Sequence, residues 1–277
     1  MDLGEAAVAH VAGLSSGPPL DPSLRVTLHF HPDRSFDGVS LVEVLAREGV
    51  YRSQFETGTS NGGLTAHAGG DRWQWESRIF GGVYDAAPVA SRPKYGSLNH
   101  RRRPAGGSPR FGSAHLRLRP ETLARTTFCY PDSFFSPTHF GVAERMGLVE
   151  LAEADDQDYL DDYIEAHVHG GLRLSEDVEA LVLDPCYRDT PVESAAASLP
   201  CEVEWHHGFA LTVDELARHP DYRGPSIVTA GCEIAENGML NARIVGEAAR
   251  VGRHDPRTLK RVWHYIARFG GSRSGGN

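Results

Sequence analysis

At 277 residues, with 40% hydrophobic and 23% charged residues, the chain has the composition of a globular protein and can bury a substantial core. A formal charge of −9 argues against a general nucleic-acid binder, which carries a basic face, but leaves room for a local basic pocket. Cys129, Cys186, Cys201 and Cys232 are widely spaced with no C-x-x-C pair, which argues against a zinc ribbon or thioredoxin motif and for reduced thiols. The basic residues are almost all arginine, Lys94 and Lys260 being the only lysines. The start, with Asp2 and Glu5, lacks the basic-then-apolar pattern of a secretion signal. No apolar run approaches the ~20 residues of a membrane span, so a cytoplasmic protein with no membrane partner is expected.

Residues 1–19, rich in Ala, Gly and Ser, fit a short helix ending near Gly13, then a Pro18-Pro19 linker. Arg25 to Phe30 alternates and reads as a strand closed by Pro32. Leu41, Val42, Val44 and Leu45 have helical spacing, with Ser40 as N-cap and Gly49 as the stop. Tyr51 to Phe55 reads as a strand running into the glycine-rich loop Gly58–Gly63. Arg72 to Phe80 reads as a helix, Lys94 to Leu98 as a strand, and Arg101-Arg102-Arg103-Pro104 as a solvated loop. Ala114 to Leu118 is a further strand, stopped by Pro120. Phe140 to Leu151 reads as a helix, followed by an acidic loop from Glu153 to Asp162.

Tyr163 to Val168 reads as a strand, with Gly170-Gly171 as a hairpin turn returning Leu172 to Leu174 alongside it. Ala180 to Leu183 is apolar and ends at Asp184-Pro185. The last quarter alternates strands (Glu202 to Trp205, Ile227 to Ala230) with helices. One helix opens at Thr212, with Glu215 three residues on as a capping box. The final helix has Asp255 as cap, Pro256 at its first position, and Leu259, Val262, Trp263 and Ile266 along one face. With no internal repeat and no clean boundary, the expectation is one α+β domain with mixed or antiparallel sheets. Its parts are an N-terminal segment 1–24, a core 25–185, a C-terminal extension 186–270 and a disordered tail 271–277.

Three constellations could carry chemistry. Gly58-Thr59-Ser60-Asn61-Gly62 matches the G-x-S-x-G nucleophile elbow, but the residues that follow it (Gly63, Leu64, Thr65 and on to Gly69-Gly70) open a helix poorly, so the match is set aside. His29 and His31 form an H-x-H at a strand end, and period-two geometry puts both on one face, where they could ligate a metal. The stretch Leu28 to Gly38 resembles the opening of metal-dependent phosphoesterases of the polymerase-and-histidinol-phosphatase type. That makes a metal-dependent phosphoesterase or amidohydrolase using His29 and His31 the alternative enzyme. A non-catalytic binding module is the third class.

The third constellation is Arg52, Ser97 and Glu165, in that order. An arginine beside a glycine-rich turn can clamp a pyrophosphate. A carboxylate on a rigid strand can accept from a ribose hydroxyl and favour positive charge developing at an anomeric carbon. The segments Tyr51-Arg52-Ser53-Gln54-Phe55, Arg92 to Leu98 and Tyr163 to Gly170 resemble ADP-ribosyltransferase-like domains of bacterial and phage proteins, over roughly residues 25–185. The chain as a whole resembles an actinobacterial family with no assigned activity.

The resemblance implies a split-sheet ADP-ribosyltransferase-like core with a C-terminal helical extension. It implies a mono-ADP-ribosyltransferase or NAD glycohydrolase that uses NAD as co-substrate, requires no metal, and passes ADP-ribose to a macromolecular or small-molecule acceptor. Arg52 with Gln54, Phe55, Gly58, Thr59 and Ser60 would hold the NAD phosphates and ribose, and Tyr95 or Phe55 would stack on nicotinamide. Ser97, beside Gly96, would brace the site, and Glu165 would promote loss of nicotinamide.

Overall fold

The computed structural model describes residues 2–36, 38–58 and 66–271. Within them the fold is mixed α+β, with a mostly antiparallel sheet and helices gathered toward the C-terminal end, as the element pattern predicts. The strands are β1 (Val26–Phe30), β2 (Ser35–Phe36), β3 (Val39–Ser40), β4 (Lys94–Leu98), β5 (Ala114–Leu118), β6 (Thr126–Tyr130), β7 (His139–Val142), β8 (Ile164–Val168), β9 (Val178–Leu183), β10 (Glu202–Trp205), β11 (Ala210–Thr212) and β12 (Met239–Asn241). Eight are joined in one sheet in the order β10-β9-β5-β1-β4-β8-β6-β7. The pairs β2–β3 and β11–β12 form two-stranded ribbons outside it. Of the described pairings, β10 with β9 is parallel and the others are antiparallel.

The register sorts the side chains by chemistry. Val26 faces Leu98 and Leu98 faces Ile164; one residue along, Thr27, Ser97, Glu165 and Cys129 face one another in turn. Opposed residues share a face and sequence neighbours take opposite faces. One face is therefore apolar, with Val26, Leu28, Leu98, Leu116, Phe128, Ile164 and Ala166 in the main core. The other carries Thr27, His29, Ser97, His115, Thr127, Glu165 and His167, all buried as well. Strands covered on both sides usually read as continuous apolar runs. Here the alternation marks a second, polar interior.

The helices are α1 (Leu3–Ala12), α2 (Leu41–Glu48), α3 (Gln54–Thr57), α4 (Asp71–Ile79), α5 (Leu148–Ala154), α6 (Leu174–Asp177), α7 (Pro191–Ala196), α8 (Val213–Ala217), α9 (Pro225–Ile234), α10 (Ala242–Arg250) and α11 (Pro256–Phe269). From α1 and α4, Ala7, Val11, Trp75 and Ile79 join Phe80, Tyr84, Cys129 and Val142 in a second, smaller core. Helices α9, α10 and α11 pack on one another, and Trp263 Nε1 donates to the Pro109 carbonyl at 2.9 Å, tying α11 to the turn Pro109–Phe111. That turn lies directly on β1. A Cβ at Gly112 would meet the Phe30 backbone at 2.2 Å, so no side chain fits there. Among the described residues no helix is long and apolar enough to cross a membrane.

The caps of α2 and α11 follow their sequence signals. Ser40 and Glu43 form a capping box, Gly49 ends α2 at φ 67°, and Asp255 accepts from the Arg257 and Thr258 amides. Thr212 likewise caps α8 by accepting from the Glu215 amide.

Other expectations are corrected. Tyr51 to Phe55 is not a strand: Ser53 caps α3 through a reciprocal bond with Glu56, an S-x-x-E signature inside an apparently alternating run. Phe140 to Leu151 is not one helix; it divides into β7 and α5, with Met146 and Gly147 bonded back to Pro18 and Ser16. Leu172 to Leu174 does not return along β8. It pairs instead with the segment after α2, Tyr51 donating to Leu172 and Leu174 to Gly49, both at 2.9 Å, and β6, absent from the sequence reading, takes the place beside β8. Ile227 to Ala230 lies inside α9, where Ile227, Ala230, Gly231 and Ile234 form a buried stripe at helical spacing. Residues 272–277 of the expected tail lie outside the described residues.

Candidate functional site

A cavity of about 710 Å³ opens from the polar face of the sheet, within the size range of small-molecule sites. Its walls come from β1, α2, the α3 region, β4, β8, the turns near Arg110 and Ser133, and α11. Arg34, Arg47, Arg52, Arg72, Lys94, Arg110 and Lys260 line it, against Glu48, Glu56, Asp132 and Glu165. In a chain of charge −9 the cavity therefore reverses the overall sign, and it holds both of the chain's lysines. Cations in a cleft with low-dielectric walls focus their field on whatever enters. The cavity suits an anion.

Glu165 stands at its floor, 7% exposed. Its Oε1 lies 3.0 Å from His167 Nε2, and its Oε2 accepts from the Ser133 amide at 3.3 Å and the Ser133 hydroxyl at 3.1 Å. Burial by itself would raise its pKa, but the His167 hydrogen bond, the Arg72 charge and the Ser133 hydrogen bond outweigh it and hold the carboxyl below its ordinary value. It is a buried carboxylate kept ionised.

Behind it runs a fully enclosed hydrogen-bond chain. His167 Nδ1 is 3.2 Å from Thr127 Oγ1, Thr127 Oγ1 is 3.0 Å from His169 Nε2, and His169 Nδ1 is 2.8 Å from Tyr84 Oη. A carboxylate only accepts, so His167 Nε2 donates to it. With the ring neutral, Nδ1 accepts from Thr127, whose oxygen accepts from His169 Nε2–H, whose Nδ1 accepts from Tyr84. Every proton in the chain points toward Glu165. Burial, then the charges of Arg125 and Lys94, push His169 down to about 3, so that ring stays neutral.

Arg72 projects from the first turn of α4 and is 4% exposed. Its guanidinium lies 4.0 Å over the Tyr95 ring, and its Nε and Nη1 are buried with no hydrogen-bond partner among the described residues. A buried donor left unmade costs about 1–3 kcal/mol, and a planar guanidinium fork matches a carboxylate or phosphate. The Tyr95 ring is fixed in turn, its hydroxyl donating to Glu76 at 2.9 Å, and Glu76 forms a buried ion pair with Arg92 at 2.6 Å. Gln54 Oε1 and Arg110 Nε are further buried atoms on cavity-lining residues with no hydrogen-bond partner among the described residues.

The structure brings Arg52, Gln54, Tyr95, Gly96 and Glu165 to this cavity. Arg52 is at the rim, half exposed and paired with Glu48 at 3.0 Å, in a loop rather than on the expected strand. Gly96 has no room for a side chain, since a Cβ would meet the Thr27 carbonyl oxygen at 2.6 Å. Ser97 is not at the wall: it is opposite Glu165 in register but enclosed, its hydroxyl bonded to Ser108 at 2.8 Å and Thr27 at 3.2 Å. Phe55 is not at the wall either; its ring lies under the Arg92 guanidinium at 4.2 Å. Gly58 ends α3 at φ 62° away from the wall, and Thr59 and Ser60, with the rest of the G-x-S-x-G run, lie outside the described residues.

His29 and His31 both line the cavity. His29 is engaged at both nitrogens, with the Gly112 carbonyl and the Ser108 amide at 3.2 Å each, and His31 meets Trp263 edge-on. The described group close enough to share an ion is instead Cys129, Glu165 and His167, within 4.8 Å of one another. Burial first, then the Glu165 and Asp132 charges, push the Cys129 thiol well above its ordinary pKa, which opposes the thiolate a metal needs.

Sequence reading missed Arg72, Ser133 and Lys260. The signals available were the pairing of Glu165 with His167 at period two and the scarcity of lysine.

Residues 25–152 and 142–267 match the family described as "Protein of unknown function (DUF3626)". The chain belongs to that family. The DUF3626 match runs from β1 into α11 and takes in Arg52, Arg72, Glu165 and Lys260, so the cavity lies in the family's common region. Among curated proteins no relative matches.

Proposed function

We propose that the cavity binds NAD and that Glu165 promotes cleavage of its nicotinamide–ribose bond, as in a mono-ADP-ribosyltransferase or NAD glycohydrolase. The observation that carries this reading is that Arg52 and Glu165, distant in sequence, line one cation-rich cavity whose carboxylate stays ionised although buried. Arg52 at the rim and Arg72 inside meet the phosphates, and Tyr95 offers a ring held rigid by Arg72 and Glu76. As the C–N bond breaks, its electron pair leaves with neutral nicotinamide and positive charge develops on the ribose. An ionised carboxylate held in a low-dielectric site favours that charge. An acceptor then bonds to the anomeric carbon and releases a proton; with water the product is free ADP-ribose. Ser97 acts from behind the wall, as part of the row that seats Glu165.

The test is nicotinamide release from NAD by the purified chain. Glu165→Gln should lower it by about 10²–10³-fold, the scale of losing one electrostatic group in a preorganised site. Absence of both NAD binding and nicotinamide release, or release untouched by Glu165→Gln, ends the reading. A second reading follows from the Cys129, Glu165 and His167 group: a divalent metal there, in place of the His167–Glu165 hydrogen bond, acting on a phosphate ester. Stoichiometric metal in the purified protein, removable together with phosphoesterase activity, would favour it.

A further inference from the structure

We propose that α11 supplies the cavity with a separate phosphate subsite, built by Lys260, Arg34 and Arg110 with His264 behind them. This rests on the reading that the cavity takes a phosphate-bearing ligand, and assigns a role to the C-terminal third of the chain. Lys260, Arg34 and Arg110 line the cavity together with His31. Lys260 and His264 are one turn apart on α11 and so share a face. His264 is 5% exposed, and both its ring nitrogens are buried with no hydrogen-bond partner among the described residues. Two unmade buried hydrogen bonds on one ring are uncommon in native proteins and call for a missing partner.

The surroundings give that partner a sign. After burial, the groups holding His264 down to about 2 are Arg110, Arg223, Lys260 and His31. Lys260 is lowered first by burial and then by Arg110, Arg223 and Arg34. Arg110 is paired with Asp161, yet its Nε is still buried without a hydrogen-bond partner. Cations crowded on one wall repel each other, and a phosphate among them relieves that repulsion while supplying acceptor oxygens. Every other cation of the chain is an arginine except Lys94, whose ammonium donates to three carbonyls, those of Ala90, Arg92 and Gly170. Lysine at position 260 offers a point charge with rotatable donors, suited to phosphate oxygens on one side of a cleft.

The experiment titrates the full chain with inorganic pyrophosphate by calorimetry, following the imidazole nitrogens by NMR. Lys260→Met should weaken pyrophosphate at least tenfold with an unchanged circular dichroism spectrum, and pyrophosphate should shift the His264 nitrogens in the native chain. Arg250→Met, on an exposed Glu247 pair, should bind as the native chain does. Equal binding by Lys260→Met, or unmoved His264 signals, overturns the subsite. Loss of binding in Arg72→Met with none in Lys260→Met places the anion at the inner pocket and overturns it too. Lys260-dependent pyrophosphate binding in a protein that ignores NAD upholds the subsite and removes the NAD reading; NAD turnover with Lys260-independent pyrophosphate binding does the reverse.

Discussion

Thr127→Val cuts the hydrogen-bond chain behind Glu165 at its middle while nearly preserving shape. Thr127, His167 and His169 are all buried, and Thr127 Oγ1 is the shared partner of His167 Nδ1 and His169 Nε2 at 3.2 and 3.0 Å. Valine leaves both ring nitrogens unpaired, at about 1–3 kcal/mol each, so the expected loss is about 2–6 kcal/mol. At about 2–4 °C per kcal/mol for a chain of roughly this size, the midpoint should fall by about 4–24 °C. Thr126→Val is the matched control: it faces the other way and loses one bond, to the Thr122 carbonyl at 2.7 Å, worth about 1 kcal/mol. Thermal unfolding of the two variants gives the comparison, and imidazole NMR gives the mechanism, since both native rings should be Nε2–H tautomers. Equal midpoints for the two variants, or an Nδ1–H tautomer at His167, would refute the directed chain.

Arg72→Met should weaken ADP-ribose binding by about 10–100-fold through loss of charge-assisted bonds worth about 1.5–3 kcal/mol, as measured by calorimetry; unchanged affinity would remove Arg72 from the site. Glu76→Gln should destabilise by about 3–5 kcal/mol in urea unfolding, because it strands the Arg92 guanidinium in a buried pair. Acidification should destabilise the fold below about pH 6.5. Burial, the largest cause in each case, holds His29 and His169 down to about 3, so the unfolded chain takes up protons first and stability is lost as pH falls. Each ring then contributes about 2 kcal/mol of loss by pH 5, visible as a falling midpoint. Asp33 acts in the opposite sense. Burial raises it to about 6, so Asp33→Asn should gain on the native chain as pH rises from about 4 to 6, in parallel melts.

The parts of the fold legible in sequence were those with local causes. Ser40 with Gly49, and Asp255 with Pro256, mark helix ends through bonds made within a few residues, and the structure keeps them. β6 was not legible: Thr126 to Tyr130 is five buried residues whose strand character comes from lying between β8 and β7. At the site, Glu165 and Arg52 were legible as an ordered pair, whereas Ser97 has a hydroxyl that looks available in one dimension and is enclosed by Ser108 and Thr27 in three. Arg72 was hidden by its helix, where it reads as a surface charge until Tyr95 is seen beneath it.

The register of β8 has an evolutionary consequence. Ile164, Ala166 and Val168 pack the main core, while Tyr163 and Glu165 border the cavity and His167 and His169 stand behind it. Variation in folding and variation in chemistry are thus assigned to alternate codons of one short stretch of gene. A lineage can retune the pocket at odd positions without disturbing the packing at even ones, and a codon-by-codon fitness scan of this strand should oscillate with period two.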